Sequence, residues 1–162
     1  MNYFFRFLFG VVCLTTSIMA ANKPFLFFDG HNLSVHQNKQ FITQFPANAG
    51  RPFFNTSKNQ FLKNKGPLPE GTYTVRLDKI VHFNQPDFFT KIKWMTKYLA
   101  WGNLAMPLEP NSKNIMKGRH SFMIHGGGWF VGSKGCVVVY GRDMELEKLL
   151  KNSENLELVV KY

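Results

Sequence analysis

The sequence predicts one mainly β domain, an antiparallel sandwich or barrel covered by one or two short helices. Three observations carry this. Short runs rich in Phe, Val, Ile and Tyr recur along the chain, separated by turn residues such as Asp29-Gly30 and Gln37-Asn38-Lys39. Tyr73, Val75 and Leu77 alternate with Thr74, Arg76 and Asp78, the two-residue period of a half-buried strand. Two segments only, 84–99 and 143–152, carry the apolar spacing of an amphipathic helix. With 162 residues, the chain can bury one full-sized core.

In chain order, residues 1–20 read as a secretory signal peptide. Arg6 precedes an apolar run from Phe7 to Leu14, and Thr15, Thr16, Ser17 and Ala20 follow. The run is shorter than the ~20 apolar residues that span a bilayer. Val12, ahead of Cys13, stands where a lipoprotein signal carries a small residue, and the bulky Ile18 leaves the cleavage point open. Residues 21–162 form the domain, with Cys136 as its sole cysteine. Segments 24–28, 32–36 and 40–45 read as a β-meander. Four Pro and three Gly make 46–71 a long irregular loop. Strand chemistry resumes over 72–83. Phe88, Ile92, Met95 and Leu99, interleaved with Lys91, Lys93 and Lys97, form a basic amphipathic helix that packs on the sheet or covers a membrane or substrate surface. Segments 101–108, 119–125 and 136–140 read as strands. Asp143 serves as N-cap of a helix whose apolar face is Met144, Leu146, Leu149 and Leu150. LELVVKY closes the chain.

Composition excludes several classes. With 17 Phe, 3 Trp and 5 Tyr the chain is no disordered basic tail, and two Cys are too few for a disulfide scaffold or a four-Cys zinc module. The formal charge of +10 calls for an anionic partner: nucleic acid, membrane headgroups or an acidic polymer. The excess is uneven, with 16 basic and 5 acidic residues over 21–142 against 3 and 5 over 143–162.

The chemistry concentrates between Arg119 and Cys136. A strand ending in His125 joins one beginning with Cys136 through a Gly-rich connection, which can bring thiol and imidazole together at the mouth of a sheet. At its ordinary pKa only about 3% of a thiol is thiolate at pH 7, so a nucleophilic Cys needs a neighbouring base. Gly135 permits close backbone approach, and amides near Cys136 can face an oxyanion. Other readings fit less well. His-Gly-Gly-Gly occurs in esterase oxyanion loops, but no Gly-x-Ser-x-Gly elbow follows. Gly132-Ser133-Lys134 breaks the order of a phosphate loop. Zinc on His120, His125 and Cys136 is awkward, because residues i and i+5 on a strand face opposite sides. A buried inert Cys beside a glycine turn is the remaining bland reading.

His125-Gly126 followed by Ser133-Lys134-Gly135-Cys136-Val137 resembles the H-G…S-x-G-C-[IV] signature of the L,D-transpeptidase catalytic domain, the YkuD-like family. The segments FDGHNLSVHQNKQFITQFPANAGRP, KGPLPEGTYTV and GRHSFMIHGG extend the resemblance to the branch containing type VI secretion L,D-transpeptidase effectors, over roughly 26–140. The resemblance implies a YkuD-like β-sandwich or barrel, with Cys136 as nucleophile, His125 as general base and the Gly126 carbonyl orienting the imidazole. It also implies an oxyanion hole from the Gly135 and Cys136 amides, Ser133 shaping the loop, and Arg119 and Lys134 near substrate carboxylates. The implied substrate is a peptidoglycan tetrapeptide stem. Attack on its third-residue carbonyl releases D-Ala and leaves a thioester, resolved by an amine (cross-link or D-amino-acid exchange) or by water (carboxypeptidase). No cofactor or metal is implied, and the partner is the wall polymer rather than nucleic acid. The signal segment and the resemblance together imply a periplasmic or secreted monomer that meets the membrane only through its signal segment. Two departures stand out. Val138 occupies a position where the family often has Arg or Asn, and the connection from His125 to Cys136 is short, which favours the effector-like branch, whereas the secretory signal fits a resident envelope enzyme. A cationic wall-binding module that has kept the fold and lost turnover is the alternative.

Overall fold

The computed structural model describes residues 23–83, 99–127 and 132–162. The signal segment and all but the end of the 84–99 helix expectation lie outside them. The described part is a mainly β fold built on one nearly closed sheet, in which the strands are β1 (Phe25–Phe28), β2 (Asn32–Gln37), β3 (Gln40–Pro46), β4 (Asn48–Ala49), β5 (Gly71–Val75), β6 (Val81–His82), β7 (Leu104–Pro110), β8 (Phe122–His125), β9 (Val137–Val138) and β10 (Leu156–Val160). Their order is β3-β2-β1-β10-β5-β7-β8-β9-β4, with β6 paired to β7. Helix α1 (Asp143–Leu150) leads from β9 to β10, and residues 99–101 are also helical.

The meander predicted for the N-terminal segment forms as β1, β2 and β3, with β1–β2 and β2–β3 both antiparallel. At its inner edge β1 pairs with the last strand, β10, in parallel, Leu26 facing Leu158 and Phe28 facing Val160. A second parallel pairing, β8 with β9, departs from the otherwise antiparallel sheet. Both parallel pairs join strands separated by long connections, as parallel geometry requires.

The core is what the two-residue period selects. In β10, Leu156, Leu158 and Val160 are buried while Glu157 is exposed, and in β5 Tyr73 and Val75 are buried around exposed Thr74. They meet Leu26, Phe28, Leu33, Met106, Ile124 and Val137 in one cluster. Tyr73 hides its ring by donating its hydroxyl to the Pro69 carbonyl at 2.7 Å, and Tyr162 does the same to Leu68 at 2.8 Å.

The strands read over 101–108, 119–125 and 136–140 form over Leu104–Pro110, Phe122–His125 and Val137–Val138, and three further elements differ from expectation. The strand read over 72–83 breaks after Val75: residues 77–79 make a 3-10 turn, and Arg76 turns to Asp78 and Glu109 in a surface cluster rather than continuing the pleat. The loop 46–71 is not wholly irregular, because Asn48 and Ala49 pair with Val138 and Val137 as β4. Ala49 is fully buried there, a fact about a partner some 90 positions away. Asp143 is not the N-cap of α1. Arg142 occupies that position without a side-chain cap bond, and Asp143 sits in the first turn with its carboxylate turned to another element. Of the predicted apolar face only Leu146 and Leu150, one turn apart, are buried, while Met144 and Leu149 are exposed.

Candidate active site

The parallel pairing of β8 and β9 places the motif residues. Ile124 and His125 register with Val137 and Val138, so Cys136, just before β9, lies beside Met123 of β8, two residues before His125. The Val139 amide donates to the His125 carbonyl at 3.0 Å and locks the register. Cys136 and His125 thereby line one cavity of about 510 Å³, with Trp101, Ser133, Lys134 and Arg119 also in its wall. No Asp or Glu lines this cavity among the described residues.

His125 is only 5% exposed. Burial pushes its pKa down to about 4, against the pull of the Asp143 charge and the Gly126 carbonyl, both of which favour the protonated ring. Its Nδ1 is buried and meets no described partner at full hydrogen-bond geometry, so the Gly126 carbonyl acts on the ring as a nearby dipole. Trp101 leans over the imidazole, with ring centroids 4.8 Å apart and planes at 41°. Burial pushes the Cys136 thiol up, while the Met123 backbone and the Arg119 charge pull it down. Burial thus disfavours the charged form of each side chain. The thiolate–imidazolium pair that an exposed Cys–His couple would favour is suppressed by desolvation.

Ser133 organises the turn before Cys136. Its hydroxyl donates to the Cys136 carbonyl at 2.6 Å and accepts from the Gly135 amide at 3.0 Å and the Gly50 amide at 3.2 Å. The Ser133 amide donates to the Gly50 carbonyl at 2.8 Å, which ties this turn to the residue after β4. The Gly135 amide, one of the two expected oxyanion donors, is thus engaged with Ser133. Gly135 has φ +127°, and a Cβ there would meet Arg119 and Phe122, so only glycine fits. Lys134 is exposed at the rim. Arg119 is buried, with its donors on backbone carbonyls.

Asp143 and Trp101 were not singled out as site residues from sequence. The Asp143 carboxylate is 1% exposed and accepts from the Asn103 and Leu104 amides at 2.6 and 2.9 Å. It packs on Gly126, where a Cβ would stand 2.6 Å from its carboxyl carbon. It therefore braces the backbone that follows His125 against the start of β7. An Asp opening a helix reads locally as a cap; its partners lie 39 and 40 positions earlier, where no local signal reaches.

With this geometry in hand, the fold is that of the L,D-transpeptidases. Bd1075 of Bdellovibrio bacteriovorus superposes with a TM-score of 0.55 at 20% identity, covering 88% of this chain and 49% of its own. The helical cell shape determining protein Pgp2 of Campylobacter jejuni gives 0.51 at 11% identity, covering 88% and 48%. L,D-transpeptidase 3 of Mycobacterium tuberculosis, in complex with a faropenem-derived adduct, gives 0.50 at 14%, covering 87% and 61%. The chain spans about half to three-fifths of the length of these proteins. The Tlde1 domain model matches residues 45–161, and the chain belongs to that family. No curated protein sequence matches it.

Proposed function

We propose that the protein is a peptidoglycan L,D-transpeptidase with Cys136 as nucleophile and His125 as general base. The observation that carries this reading is that both side chains line one cavity, which has no acid among its described residues, at the parallel β8–β9 pairing. The family and the fold support the same class.

Burial favours the neutral form of both groups, so proton transfer accompanies attack. His125 takes the thiol proton as the sulfur–carbon bond forms on the third-residue carbonyl of a tetrapeptide stem. The imidazolium so created is favoured by the Asp143 charge and the Gly126 carbonyl. The oxyanion meets the Cys136 amide; the Gly135 amide joins only by exchanging its bond to Ser133. Collapse breaks the carbon–nitrogen bond, and His125 returns its proton to the departing D-Ala amine. An acceptor amine then resolves the thioester to a cross-link or an exchanged D-amino acid, and water resolves it to a shortened stem. Ser133 holds the turn, and Lys134 at the rim meets substrate carboxylates. Residues 1–20 direct export to the periplasm or beyond, and the monomeric domain of residues 21–162 is the active unit.

The test is incubation of the purified protein with disaccharide tetrapeptides and several acceptor amines, read by intact mass. Loss or exchange of the terminal alanine, abolished in Cys136→Ala, is expected. Unchanged tetrapeptide with retained binding to peptidoglycan would instead leave a non-catalytic wall-binding module.

A further inference from the structure

Arg119 is 7% exposed and makes no ion pair among the described residues. Its Nη1 donates to the carbonyls of Gln60 and, at 2.5 Å, Pro67; its Nη2 donates to Gly66 at 2.9 Å and Lys134 at 3.0 Å. Its guanidinium carbon lies 4.9 Å from the centre of the Phe122 ring. A guanidinium cannot shed its proton to escape burial, and a buried cation without a counter-ion costs several kcal/mol. Four carbonyl dipoles and one ring face offset part of that cost. The fold therefore holds a fixed positive charge against the backbone of Lys134 and Gly135, incomplete until an anion forms beside it.

The sulfur, on which negative charge develops as its proton passes to His125, is one residue further on. We propose that Arg119 is a positioning residue for Cys136: it clamps the turn before the thiol onto the 60–67 loop and presents its charge to the anion formed there. This rests on the assignment of Cys136 as nucleophile. Its four carbonyl partners leave the substrate carboxylates to Lys134. Thiol and guanidinium sense each other, each charge favouring the other. The other groups facing Cys136 are His125 and the Met123 backbone from β8, Lys134 from its own turn, and Lys63 and His120 across the cavity. None of them is acidic.

The rate of Cys136 alkylation by iodoacetamide, followed against pH by mass spectrometry of the Cys136 peptide, reads this charge without using peptidoglycan. In folded Arg119→Gln the rate at pH 8 falls roughly tenfold and recovers as the pH is raised. Arg119→Lys, which keeps the charge, loses less than half as much on a logarithmic scale. Gly135→Ala, which drives a methyl into the guanidinium, shifts the profile in the same direction as Arg119→Gln and decides the matter if Arg119→Gln does not fold. An unshifted profile in Arg119→Gln or Gly135→Ala, or an equal loss in Arg119→Lys, overturns the proposal. A shifted profile without muropeptide turnover keeps the role of Arg119 at the thiol and sinks the transpeptidase; turnover with an unshifted profile does the reverse.

Discussion

His125 shows how burial sets the chemistry of one side chain. An imidazole held near 4 is neutral, and so able to act as a base, through the whole range from pH 5 upward. The acid limb of the kcat/KM profile is accordingly expected at about pH 4 to 5; a limb centred at 6.5 or above would mean that the ring is solvated during turnover. Asp143 works on the same residue from behind. Asp143→Asn removes a charge that favours the imidazolium and sets an amide NH2 among backbone donors. It should lower kcat more than it changes KM and cost about 1–3 kcal/mol in urea denaturation. Unchanged stability and turnover would reduce Asp143 to filler.

Among the elements, β10 does the most to hold the sheet together, because it joins the N-terminal meander to β5 through two ladders. Leu158 lies fully buried between Leu26 and Tyr73 on its two neighbours. Leu158→Ala is expected to cost about 2–5 kcal/mol, read as a lower denaturant midpoint at unchanged slope. This strand was legible in the sequence, since LELVV carries its burial pattern in its own alternation. So were the meander, the strand ending in His125 and, in its first residues only, the short strand that follows Cys136. Local signals failed where the deciding partner was remote. Ala49 becomes a strand residue because of Val137, Asp143 leaves its cap for Leu104, and Leu77 alternates like a strand residue until Arg76 is drawn to Glu109. The motif residues were legible through the resemblance that their spacing carries and not through topology, because the connection from His125 to Cys136 joins two parallel strands. The support around them, Trp101 and Asp143, was not, because nothing in their own neighbourhoods marks them.

For the whole molecule, the charge is distributed with the site. The 16 basic residues of segment 21–142 include Lys63, Arg119 and Lys134 around a cavity with no acid among its described lining residues, whereas 143–162 is net acidic. Binding of the Cys136→Ala protein to purified peptidoglycan is expected to weaken several-fold between about 0.05 and 0.5 M salt, as the screening length shrinks from roughly 14 to 4 Å. Salt-independent binding would assign recognition to apolar contacts instead. No described helix is long and apolar enough to cross a membrane. The central claim is covalent, and one measurement addresses it directly: acid-quenched protein incubated with a tetrapeptide muropeptide, digested and mapped by mass spectrometry. The account predicts an adduct on Cys136 with the mass of the substrate less one alanine, absent from Cys136→Ala. Alanine release that persists in Cys136→Ala, or an adduct on another residue, would contradict it.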